Sequence, residues 1–220
     1  MNKTYLKFIQ LFIMLSFLTL TLVSCIGMSL DIQMNRDGSG RLTMEYRISR
    51  LLDNLGRLDG NESMPTIPVG RTDWERTVQR IPGLKLVSYS SKEETQDTVI
   101  KVVLDYDNEK TLISLFDPSG DRASISRQGQ NGNLSLTVLD DSAIDKNIKD
   151  LIRVFSNDYN FSLSFSGPGN SSLLLTDGSG NPLPAPQNAK IVQIGRRVSF
   201  SIGINDILDI ENGLGFKLNW

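Results

Sequence analysis

The sequence predicts an α+β protein, with antiparallel sheet or sheets that have one face covered by a few amphipathic helices. Three observations lead there. Several strand-length segments alternate apolar and polar residues, the signature of a sheet with one buried and one solvated face. Helix-periodic segments recur after paired strands, giving a loose ββα order. No regular strand–helix–strand alternation of the parallel α/β kind is present.

Each element follows from its own pattern. Leu30, Ile32 and Met34 alternate with Asp31, Gln33 and Asn35; after Arg36-Asp37-Gly38-Ser39-Gly40, Leu42, Met44, Tyr46 and Ile48 alternate with Thr43, Glu45 and Arg47. Two period-two runs about a glycine-rich turn predict a hairpin. Residues 49–58 read as weakly helical and 59–71, with Pro65 and Pro68, as a loop. Thr72-Asp73-Trp74-Glu75 has capping-box form, Trp74, Val78 and Ile81 then share one helix face, and Pro82-Gly83 ends it. Strands are expected at 84–91 and 97–106, a short helix or turn at 108–116, and a second hairpin at 123–128 and 134–139. The clearest helix spans 142–156: Ile144, Ile148, Leu151, Ile152 and Phe155 form one stripe, with Lys146, Asn147, Lys149, Asp150 and Arg153 opposite. Phe161, Leu163 and Phe165 resume the strand period. Residues 166–188, rich in Gly, Ser, Asn and Pro, read as turn and edge structure. Val198, Phe200, Ile202 and Ile204 form a strand, as do Leu214, Phe216, Leu218 and Trp220.

Composition excludes several functions. The 220 residues carry 23 Lys+Arg against 25 Asp+Glu, no histidine and one cysteine. Ser-His-Asp and Cys-His catalysis, imidazole metal sites and an intramolecular disulfide are therefore ruled out. A net charge of −2 argues against nucleic-acid binding, which needs a surplus of base. Three related turns, Asp37-Gly-Ser-Gly40, Asp117-Pro-Ser-Gly120 and Asp177-Gly-Ser-Gly180, lack the alternating carboxylates and closing glutamate of a calcium loop and read as turn chemistry. Gly178-Ser-Gly180-Asn-Pro182-Leu183 lacks the third glycine of a dinucleotide fingerprint, and its prolines obstruct the required helix. The adjacent acids Asp140-Asp141 and Glu93-Glu94 do not make an acid–base pair, which has to flank a substrate from separate elements. No cofactor and no metal are expected.

The amino terminus is the most informative segment. Lys3 and Lys7 precede an apolar run from Phe8 to Val23, short for a membrane span but right for a secretory signal. The run ends in Leu22-Val23-Ser24-Cys25, which resembles the lipobox of bacterial lipoproteins. That resemblance implies a diacylglyceryl group on the Cys25 sulfur and cleavage before it, dividing the chain into a signal peptide (1–24), a lipidated cysteine with a short tether (25–28) and one α+β domain (29–220). Two or three acyl chains would hold the domain to its membrane effectively permanently. Ile26 in place of Asp permits, in the enterobacterial convention, transport to an outer membrane.

The mature chain as a whole resembles the LppM-like lipoproteins, a bacterial group mostly of unknown function. The resemblance rests on the lipobox followed at once by Leu30-x-Ile32 and Asp37-Gly38-Ser39-Gly40, the helix ending at Gly83, and Phe165-Ser-Gly167-Pro-Gly169, Asp177-Gly178 and Val198-Ser-Phe200-Ser-Ile202 near the end. It implies a sheet packed on helices, a possible apolar cavity, and no known enzyme activity. The expected protein is thus a non-enzymatic lipoprotein, exported and held by the acyl chains of Cys25 to the periplasmic face or the outer membrane. Its expected partner is an apolar ligand such as a lipid, with residues 144, 148, 151, 152 and 155 lining pocket or core, or an envelope protein. The alternatives are an interaction or structural module with a solid core, and a carboxylate-based hydrolase of envelope glycan.

Overall fold

The first hairpin sets the frame on which the rest is hung. The computed structural model describes residues 27–49, 68–95, 97–139, 149–150, 152–153, 156 and 159–220. Strands β1 (Met28–Met34) and β2 (Gly40–Ser49) pair antiparallel, with Leu30 opposite Met44 and Ile32 opposite Leu42. Their turn closes because Gly38 takes φ +86°, a conformation a side chain resists. Asp37 accepts the Ser39 amide N–H at 3.0 Å and its hydroxyl at 2.7 Å.

β4 (Asp97–Tyr106) pairs with β2, and β3 (Leu84–Glu93) with β4. On the other side of β1 lie β7 (Asn160–Ser166), β10 (Arg197–Gly203) and β9 (Lys190–Ile194). The seven-stranded sheet runs β3-β4-β2-β1-β7-β10-β9, antiparallel except for the parallel pair β1–β7. A second sheet of four strands runs β5 (Ala123–Gln128), β6 (Asn131–Leu139), β11 (Leu214–Asn219) and β8 (Ser172–Thr176). Three helices complete the described fold: α1 (Arg71–Arg80), α2 (Glu109–Phe116) and α3 (Ile204–Leu208).

The α+β class and the ββα order hold. The cover over the large sheet is more than helical, however. α1 packs on β3, and α2 bridges β4 to β5. The β7–β10 half is covered instead by the second sheet. There Phe216 stacks on Phe161 at 5.7 Å and meets the edge of Phe200 at 4.9 Å, while Phe165 lies 5.5 Å from Trp220. Phe165, Phe200, Phe216, Leu134 and Leu163 are essentially inaccessible to water. Burying each such side chain contributes roughly 1.5–3 kcal/mol. Across the large sheet the opposite face is hydrophilic in the same region: Ser162 and Ser201 are hydrogen-bonded at 3.2 Å, and Ser164 and Ser199 at 2.9 Å.

Four details correct or extend the sequence reading. α1 begins at Arg71 with Gly70 as its cap residue; Asp73 reaches back to the Gly70 N–H at 3.1 Å, so Thr72 is not the cap. Residues 166–188, expected as turn and edge structure, hold β8, an edge strand of the second sheet, whose Leu173-Leu174-Leu175 run gives no alternation to see. β9 has the same problem with Ile191-Val192. Ile204 opens α3 and does not extend β10. The predicted helix over 142–156 lies mostly outside the described residues; Lys149, Asp150, Ile152 and Arg153 are helical.

Candidate functional site

Of the residues singled out from sequence, Cys25, Ile144, Ile148, Leu151 and Phe155 lie outside the described residues. Ile152 is half-buried. Its neighbour Arg153 pairs with Asp209 at 2.6 Å, and the Arg153 carbonyl accepts from Asn205 Nδ2 at 3.4 Å, so this segment sits beside α3.

A different site emerges where the sheet's other end closes. The ends of β1 and β7 and the β9–β10 turn surround a cleft of about 460 Å³, lined by Gln33, Met34, Arg36, Ser166, Arg196 and Arg197 among others. Three arginines from two distant stretches of sequence converge there. The reasons are local. The parallel β1–β7 pair sets Gln33 opposite Ser166, and β7 in turn sets Ser166 opposite Arg197. That brings the β1–β2 turn, with Arg36, to the same end as Arg196.

Each wall of the cleft is tied down. Arg127 at the end of β5 donates to the Arg36 carbonyl while holding Glu109 at 2.9 Å, clamping the β1–β2 turn to the second sheet. The Gly167 N–H donates to Ser171 Oγ at 3.0 Å, and Gln193 Nε2 donates to the Ser171 carbonyl at 2.6 Å, so one buried serine joins the β7–β8 turn to β9. The β9–β10 turn consists of Gly195, at φ +57°, and Arg196, the glycine-first order of a type II′ hairpin.

The charge in the cleft is one-sided. Arg197 reaches Asp31 at 3.4 Å, while Arg36 and Arg196 are exposed and form no ion pair among the described residues. Asp37, next to Arg36, is committed to Ser39, whose hydroxyl and N–H hold its carboxyl below the usual carboxylate range. Two guanidinium groups therefore face solvent across a walled cleft, in a chain whose acids outnumber its bases. Planar guanidinium forks match carboxylate and phosphate oxygens two at a time. The arrangement can hold an anion; it offers no pair of carboxyl groups for hydrolysis.

The three Asp-x-Ser-Gly turns have their carboxylates turned onto the chain itself. Asp117 accepts from the Gly120, Arg122 and Ala123 N–H groups and the Ser119 hydroxyl. Asp177 accepts from the N–H groups of Ser179 and Asn181 and from Asn181 Nδ2. Among the described residues no three acidic or cysteine side chains gather as metal ligands, and no helix is long and apolar enough to cross a membrane.

The arginine cleft was missed at the level of sequence, although one signal existed. From Gly178 to Asn205 the chain has Lys190, Arg196 and Arg197 and no acidic residue. No protein-family model matches the chain, and no curated protein or solved structure matches it.

Proposed function

We propose that this chain is a lipid-anchored protein of the bacterial envelope that works as a binding module, not an enzyme, and that its partner presents an anionic group. The observation that carries the reading is the cleft with two arginines, Arg36 and Arg196, that form no ion pair among the described residues, backed by Arg197. The lipobox at Leu22–Cys25 supports the anchor. Cys25 stands three residues before β1, and the cleft lies at the far end of that strand. Seven residues of strand separate them, roughly 23 Å. An acyl-anchored domain would thus present the cleft away from its own membrane, which favours a soluble or protein-borne anion over the headgroups beneath it. The apolar-ligand expectation, drawn from the one-faced strands, the nearby anchor and the family resemblance, places its lining on the 144–155 stripe, most of which lies outside the described residues.

The test is equilibrium binding of fluorescently labelled hexaglutamate to the full-length protein extracted from membranes in neutral detergent. Arg36→Ala and Arg196→Ala should each weaken binding by roughly two- to fivefold, as expected for partly exposed charge pairs. Wild-type protein that ignores hexaglutamate, or binding unchanged in both variants, would overturn the reading.

A further inference from the structure

The two edges of the large sheet are built differently. β3 is blunted: the register shifts between Leu86 and Ser88, and Lys85, Lys92 and Glu93 put charge along it. These are devices that keep an edge from pairing with other chains. β9 carries one charge, Lys190 at its first position, and no register shift. Its sequence is Lys-Ile-Val-Gln-Ile, it pairs regularly with β10 through all five residues, and all five are exposed. Ile191, Val192 and Ile194 are 44%, 50% and 74% accessible. As the terminal strand, β9 has no strand neighbour on its outer side among the described residues.

The direction of the free backbone groups follows from the turn. A two-residue hairpin closes on a hydrogen-bonded pair, here Ile194 with Arg197. Bonding alternates along an antiparallel pair, so Val192 and Lys190 face β10, and the N–H and C=O groups of Ile191 and Gln193 face outward.

We propose that β9 is a docking edge, to which an extended acidic segment of a partner protein adds as an eighth strand of the sheet. The charge around β9 selects the occupant. Lys190 stands at one end, Arg196 at the other, Arg197 and Arg36 lie beyond, and no acid interrupts the chain from Gly178 to Asn205. A strand with apolar alternate residues and carboxylates at its ends would satisfy the backbone, cover Val192 and Ile194, and deliver acidic groups toward the cleft. A second copy of this chain is the poorer match, because symmetric antiparallel pairing of two β9 strands would bring Lys190 of each copy toward the arginine end of the other. Strand addition is a common mode of peptide recognition, with backbone bonds giving affinity and side chains giving selectivity. The proposal rests on the anionic-partner reading above and specifies the form the anion takes.

The test uses the membrane-extracted full-length protein and a synthetic peptide, Glu-Glu-Val-Thr-Val-Thr-Val-Glu-Glu, with amide hydrogen exchange as the readout. Binding of the peptide should slow exchange at Ile191 and Gln193 by at least about tenfold while leaving β3 unchanged. Ile191→Pro removes an outward N–H and should weaken the peptide by roughly five- to tenfold, about one backbone hydrogen bond, without altering hexaglutamate binding. Peptide binding without protection at these two amides would overturn strand addition and leave the anionic reading standing. Hexaglutamate binding with no peptide binding has the same meaning. Failure of both probes would overturn both readings. A stable dimer whose β9 amides are already protected without peptide would overturn the choice of occupant in favour of self-pairing.

Discussion

The indole N–H of Trp74 donates to the phenolic oxygen of Tyr46 across 3.0 Å, and that phenol donates in turn to the Pro68 carbonyl. Trp74 is the only fully buried residue of α1, and Tyr46 belongs to β2, an interior strand of the large sheet between β4 and β1. The helix is therefore fixed by one side chain that combines apolar burial with a directed hydrogen bond. Trp74→Ala should cost about 3–5 kcal/mol, the range for deleting a buried aromatic. Trp74→Phe retains most of the burial and should cost about 1–2 kcal/mol for the lost bond. Urea unfolding followed by far-ultraviolet circular dichroism separates the two.

Asp117 should make stability acid-sensitive. Burial pushes its carboxyl upward, but the N–H groups of Ala123, Arg122 and Gly120 and the Ser119 hydroxyl outweigh that and hold it well below the usual carboxylate range. A depressed folded-state pKa stabilises the fold above the unfolded value of about 3.9, and that contribution is lost as pH falls below it. Asp117→Asn should therefore destabilise by about 1.5–3 kcal/mol at pH 7, through loss of charge-assisted hydrogen bonds. The gap between wild type and variant should begin to narrow below about pH 4 and shrink further as pH falls toward the folded-state value. Thermal melts from pH 7 to pH 3 test this; a gap independent of pH would contradict it.

The carboxyl terminus is held by glycine on two sides. A Cβ at Gly132 would stand 2.4 Å from Trp220 Cζ2, and one at Gly167 would stand 2.6 Å from Trp220 Cβ. Gly132 and Trp220 also exchange a pair of backbone hydrogen bonds at 3.0 Å. Gly132→Ala should destabilise by about 1–3 kcal/mol through overcrowding. Trp220→Ala in the same background should relieve that clash, so the two losses combine to less than their sum, which a double-mutant cycle measures.

What could be read from the sequence follows from how each feature is encoded. β1, β2, β7 and β10 carry clean two-residue alternation because one of their faces meets the core and the other meets water. β8 and β9 do not, since Leu174, Val192 and Ile194 are apolar residues left exposed at strand edges. The second sheet was legible as hairpin and terminal strand, but the pairing of β11 with β6 and β8 joins segments far apart in the chain. The cleft is non-local in the same way. Arg36 and Arg197 meet only because β1 runs parallel to β7, and no local pattern announces that register.

Acylation of Cys25 is tested in cells. Growth with an alkyne fatty acid should label the wild-type protein, and Cys25→Ala should lose the label and leave the signal segment uncleaved, giving a species heavier on a gel. Equal labelling of the two would contradict the lipobox reading.

The most direct test of the central claim, an anion-selective cleft, is a reversal of charge at the two arginines that take no part in any described ion pair. Full-length wild-type protein should bind labelled hexaglutamate at least about tenfold more tightly than labelled hexalysine at low ionic strength, and added salt should erase the difference. Arg36→Glu combined with Arg196→Glu should abolish or invert that preference while leaving the melting temperature nearly unchanged. Equal binding of the two peptides by the wild type, or a preference that survives the double substitution, would contradict the account.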